Sequence, residues 1–85
     1  RVYTSDLFYK APGSTSDQLA IKNGCTCIEM ESFALFHNAK MAGKQAACLM
    51  TISDSFVTGE AMTAEERQDS FGDMIIVAMG AAAMV

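Results

Sequence analysis

The 85-residue chain has a net charge of −4, with acidic and basic side chains scattered along it, and 51% of its residues are hydrophobic. An acidic, unpatterned charge disfavours a nucleic-acid partner. No apolar run is long enough to span a bilayer, and no basic-then-apolar leader opens the chain.

A core of this size is marginal by itself. The chain begins at Arg1, directly in strand-like sequence, so it reads as a piece of a larger fold. The cysteines, Cys25, Cys27 and Cys48, are odd in number and lack a secretory signal, which fits reduced thiols in a cytosol. With His37 as the sole histidine, they are expected to act as small apolar residues and not as metal ligands.

Residues Val2 to Tyr9 predict a first strand, followed by the turn-rich Lys10-Ala-Pro-Gly-Ser14. Ser16 or Asp17 is placed to cap a short helix through Lys22, which Asn23-Gly24 stops in the left-handed conformation. Cys25 to Ile28 predicts a second strand. A second helix is expected from Glu31 to Ala42, stopped by Gly43, with Leu35, Phe36, Ala39 and Ala42 as its packing surface. Gln45 to Ile52 is nearly all apolar and predicts a third strand, buried on both faces of a parallel sheet. A polar loop, Asp54 to Met62, leads to Thr63-Ala-Glu-Glu66, a capping box that opens one long last helix. The apolar stripe of that helix is Phe71, Met74, Ile75, Ala78 and Ala82. The order β-α-β-α-β-α implies an α/β fold with at least part of the sheet parallel.

In open α/β sheets, ligands gather beyond the carboxyl ends of the strands. Here those ends carry Phe8-Tyr9, Glu29-Met30-Glu31 and Ser53-Asp54, a set suited to a small-molecule pocket. Glu31 opens a helix, and a carboxylate there can accept from both hydroxyls of a vicinal diol such as that of ribose. It reads equally as a simple first-turn acid. Asp54 at the end of an apolar strand is expected to be partly desolvated, with a raised pKa. Alternatively it is a loop aspartate. Arg67 in the first turn of a long helix breaks the dipole rule and so points weakly to function. Otherwise it is an exposed partner of Glu65, Glu66 or Asp69.

The strings Ser5-Asp-Leu-Phe-Tyr9, Ile28-Glu-Met-Glu-Ser32, Thr51-Ile-Ser-Asp54 and Thr63-Ala-Glu-Glu-Arg-Gln68, in this order and spacing, resemble the C-terminal third of the hexameric purine nucleoside phosphorylases. Met-Glu-Ser alone also resembles uridine phosphorylases and the methylthioadenosine and adenosylhomocysteine nucleosidases. The resemblance implies that residues 1–85 are the C-terminal β-α-β-α-β-α portion of one three-layer α/β/α domain. The phosphate-binding part of that domain would lie upstream. It implies phosphorolysis of purine nucleosides in the cytoplasm, with inorganic phosphate as co-substrate and no other cofactor. The assembly it implies is a homo-hexamer built as a trimer of dimers.

Residue by residue, Phe8 resembles the ring on the purine, Ile28 its apolar wall, and Met30 a contact of the sugar. Glu31 resembles the acceptor for the ribose hydroxyls, and Glu29 a further pocket carboxylate. Ser53 resembles a liner of the base site, Asp54 the general acid for N7, and Arg67 its helper. Because a permanently adjacent guanidinium lowers a carboxyl pKa, Arg67 is expected to approach Asp54 only after substrate binds, with Gly59 as a hinge. Two alternatives are a related purine nucleosidase using water and a non-catalytic nucleoside-binding or oligomerisation remnant.

Overall fold

A computed structural model describes residues 1–85. The elements are β1 (Val2–Thr4), α1 (Ser16–Lys22), β2 (Cys27–Glu29), α2 (Ser32–Met41), α3 (Ala64–Asp69) and α4 (Gly72–Ala82). They fall into two compact units, Arg1–Ala47 and Cys48–Val85. No helix is long and apolar enough to cross a membrane.

The first unit is a β-α-β motif followed by a helix. β1 and β2 pair in parallel, with Val2 opposite Cys27, Tyr3 opposite Ile28 and Thr4 opposite Glu29. This is the α/β arrangement that the element order implies. β1 is shorter than the apolar pattern suggests. The Ser5 amide makes the last ladder bond, to the Glu29 carbonyl at 2.9 Å. The Ser5 hydroxyl then donates to the Leu7 carbonyl at 3.0 Å and accepts from the Leu7 amide at 3.2 Å. A serine that bonds its own neighbourhood competes with a strand ladder, so residues through Tyr9 leave the sheet.

Both predicted helix stops are present. At α1, Gly24 has φ of 75°, its amide bonds to the Ile21 carbonyl, and the Cys25 amide bonds to the Ala20 carbonyl. At α2, Gly43 has φ of 65°, and the Gly43 and Lys44 amides bond to the carbonyls of Lys40 and Ala39. This is the doubly bonded left-handed cap for which glycine is suited. The buried residues of this unit are Ala20, Ser5 and Ser32. Leu35 and Phe36 remain largely exposed, so their predicted packing surface is uncovered within the chain.

The chain beyond α2 departs further from expectation. Gln45 to Ile52 forms no ladder. A strand exists only through a partner, and the chain's single sheet is the β1–β2 pair. The last helix is two helices. α3 ends at Asp69 with Ser70 as its C-cap, and α4 begins after Phe71. Ser70 and Gly72 are both weaker helix formers than alanine, and Asp73 favours a new start by lying in the first turn of α4. Phe71, Met74 and Ala78 are half-buried, whereas Ile75 and Ala82 are exposed. The Thr51 hydroxyl donates to the Met74 sulfur at 3.2 Å, tying the segment before Asp54 to α4.

Candidate functional site

In the first unit, polar groups from the ends of β1 and β2 and the head of α2 assemble around Glu29. Its position opposite Thr4 in the parallel register brings the end of β1 against the end of β2. The Thr4 hydroxyl donates to Glu29 Oε1, and the Ser32 hydroxyl donates to the same oxygen at 2.7 Å. Glu29 Oε2 accepts from the amides of Glu31 at 2.8 Å and Ser32 at 2.5 Å. Those amides are among the donors that an α-helix leaves unpaired at its start. Partial burial pushes the Glu29 carboxyl pKa up. The hydrogen bonds from Thr4 and Ser32 and from the two amides outweigh that effect and hold it at about 2. Thr4 and Ser32 were missed as site residues by the sequence reading. The one available signal was a carboxylate three residues before the first residue of a helix, with a serine at that position.

Glu31 is the N-cap residue of α2, and its side chain makes no cap bond. It is exposed, on a backbone whose amide Glu29 holds. The two carboxylates therefore have different roles: both oxygens of Glu29 are used internally, and those of Glu31 are presented outward. Ile28 and Met30 flank them, 37% and 40% exposed. Phe8 lies on the irregular segment after β1, 74% exposed, with its ring edge-to-face with Tyr9 at 5.0 Å.

In the second unit, Asp54 and Ala61 form an antiparallel bridge. The Met62 amide bonds to the Ser53 carbonyl, and the Ser55 amide to the Glu60 carbonyl, both at 2.8 Å. The predicted loop is thus a narrow hairpin. Its turn is closed by the Gly59 amide on the Ser55 carbonyl at 2.9 Å, with Gly59 at φ of 74°. The hairpin delivers the chain to Thr63. Thr63 accepts from the Glu66 amide at 3.1 Å, and Glu66 accepts from the Thr63 amide at 3.0 Å, completing the capping box.

One turn into α3, Arg67 Nη2 donates to Asp54 Oδ1 at 2.7 Å. Ser53 Oγ donates to Asp54 Oδ2, also at 2.7 Å. All three predicted residues of this segment therefore meet. An open depression of about 230 Å³ lies beside them, lined by Ile52, Ser53, Asp54, Glu60, Met62 and Glu66 among others.

Two expectations about this pair are corrected. The guanidinium already touches Asp54 and is not held apart from it. The Asp54 pKa is lowered, not raised. The Ser53 hydrogen bond comes first and the Arg67 hydrogen bond next, against slight desolvation, because the hairpin leaves the carboxylate 37% exposed. Arg67 also lies in the last turn of a six-residue helix, where a cation suits the dipole. Splitting the predicted long helix removes the anomaly that marked it.

Comparison with known proteins adds the family. Residues 1–85 match the Phosphorylase superfamily. The chain is 45% identical over 78 residues to the DeoD-type purine nucleoside phosphorylase of Oceanobacillus iheyensis, covering 92% of this chain and 33% of that protein. It is 46% identical over 78 residues to the DeoD-type purine nucleoside phosphorylase of Bacillus subtilis, with the same coverage. A Roseobacter denitrificans protein of the same name is 37% identical over 81 residues. The chain thus spans about a third of the length of the curated relatives it matches. No solved structure matches it significantly. A match running from the first residue to the last, over a β-α-β motif with acidic groups at its strand ends, assigns the chain to the phosphorylase superfamily.

Proposed function

We propose that this chain is the nucleoside-gripping C-terminal third of a purine nucleoside phosphorylase with a three-layer α/β/α fold. The whole enzyme splits purine nucleosides with inorganic phosphate to the free base and pentose 1-phosphate. The observation that carries the reading is the Ser53–Asp54–Arg67 cluster beside an open depression. A carboxyl that handles a proton must be positioned by neighbours and reachable by substrate, and this one is both.

In the proposed reaction, a phosphate oxygen bonds to C1′ as the C1′–N9 bond breaks, and Asp54 gives its proton to N7 of the departing base. Glu31 accepts from the ribose hydroxyls, Met30 packs on the sugar, and Phe8 and Ile28 contact the purine. As built, Ser53 and Arg67 keep Asp54 ionised. The proposal therefore requires a seated purine to exclude water from the cluster, because desolvation favours the protonated carboxyl. The sugar groups and the purine contacts Phe8 and Ile28 lie in the first unit and the Ser53–Asp54–Arg67 cluster in the second, and their convergence on one nucleoside is part of the proposal. So are the upstream phosphate site, the homo-hexamer and the cytoplasmic, purine-salvage setting.

The test joins this chain, as the C-terminal third, to the upstream part of the Bacillus subtilis relative. Phosphate-dependent release of hypoxanthine and ribose 1-phosphate from inosine is the expected result. Release without phosphate would make the protein a nucleosidase. A folded chimera that releases no base would overturn the catalytic reading.

A further inference from the structure

Glu29 differs from every other carboxylate of the chain in that both oxygens are occupied by four donors from three residues. These are Thr4 on β1, and the Ser32 hydroxyl, Ser32 amide and Glu31 amide at the head of α2. Two of its partners, Thr4 and Ser32, also lie within 3.1 Å of each other. Ser32 is one of the two buried polar residues of the chain. No acceptor capacity remains on Glu29 for a substrate hydroxyl without breaking one of these bonds. We infer that Glu29 is a positioning residue: it clamps the ends of the two parallel strands to the head of α2 and so sets the direction of the Glu31 carboxylate. This deepens the proposed function and rests on its assignment of Glu31 to the sugar.

The geometry dictates an unusual tolerance. The partners of Oε1 are hydroxyls, which can turn and accept. The partners of Oε2 are backbone amides, which cannot. A glutamine fits with its carbonyl toward the amides and its NH₂ toward Thr4 and Ser32. The clamp requires shape and an acceptor on one side, not charge as such, whereas a carboxylate binding the diol directly requires both oxygens.

The test measures KM and kcat for inosine in the chimeric enzyme. Glu31→Ala should raise KM by about tenfold or more, the scale of a lost hydrogen bond to a charged group. Glu29→Ala should raise KM about tenfold with kcat changed by no more than about threefold, and Glu29→Gln should raise KM only about threefold. In the Glu31→Ala background, Glu29→Ala should add less than about twofold, because coupled residues are not additive. A simple loss of folded enzyme lowers the maximal rate at unchanged KM and so is told apart. If Glu29→Ala does not fold, Thr4→Val combined with Glu31→Ala serves for the same cycle.

Unchanged KM in Glu31→Ala would sink the sugar assignment itself. A raised KM there, together with full additivity of Glu29→Ala or with Glu29→Gln as damaging as Glu29→Ala, would overturn the positioning role alone.

Discussion

The two units hold a carboxylate in contrasting ways. In the first, Glu29 sits half-buried between two strands and a helix, and two backbone amides are among its donors. In the second, Asp54 sits at an exposed hairpin end, and its partners are two side chains, Ser53 and Arg67. Both carboxyl pKa values are lowered, yet the consequences differ. Two of the four donors to Glu29 are backbone amides that cannot turn away, so Glu29 is bound into the architecture. A serine hydroxyl and an arginine side chain can rotate away, so Asp54 is able to change protonation state. A low pKa by itself thus does not separate a structural carboxylate from a chemical one. The mobility of its partners does.

That contrast is open to direct attack in the chimeric enzyme. The largest effect is expected from Asp54→Asn, which should lower turnover of inosine by about 10²- to 10⁴-fold. A nucleoside with a cationic base that leaves unaided, such as 7-methylinosine, should be far less affected. Equal losses on both substrates would place Asp54 with Glu29 as a fixture. Next, Ser53→Ala removes the first of the bonds holding Asp54 ionised. The acidic group in the pH profile of kcat/KM should therefore move toward neutrality. An unmoved profile would show that Ser53 does not govern the proton.

Glu29 should act on stability instead. Its folded pKa of about 2 lies below its ordinary value of 4.5. Its contribution is therefore complete above the ordinary value and is lost as pH falls toward 2. Thermal melts should decline across that window, and Glu29→Gln should flatten the decline. The smallest effect belongs to Thr63→Ala. Loss of the capping box should cost about 1 kcal/mol, read in denaturant melts, with kcat falling only as far as α3 carries Arg67 away from Asp54.

The legible parts of the chain were those whose cause lies within a few residues. Asn23-Gly24 and Gly43 stop helices because only the local backbone need turn left-handed. Thr63 and Glu66 find each other because they are one helical turn apart. The proximity of Ser53, Asp54 and Arg67 was anticipated from the family pattern, although their state was not. The apolar segment from Gln45 to Ile52 looked like a strand because composition reports a preference for burial, while a ladder needs a neighbour that composition does not name.

Sequence alone therefore determined the α/β class, the Thr63 capping box, the stops at Gly24 and Gly43, and which carboxylates stand at the ends of elements, since these depend on short-range sterics and hydrogen bonding. Tertiary structure alone decided that Glu29 is consumed by Thr4 and Ser32, that Glu31 stays free, and that Arg67 rests on Asp54. The Thr4 and Arg67 donors come from 25 and 13 positions away in the chain, and hydrogen-bond valence is settled only when every competing donor, near or distant, is in place.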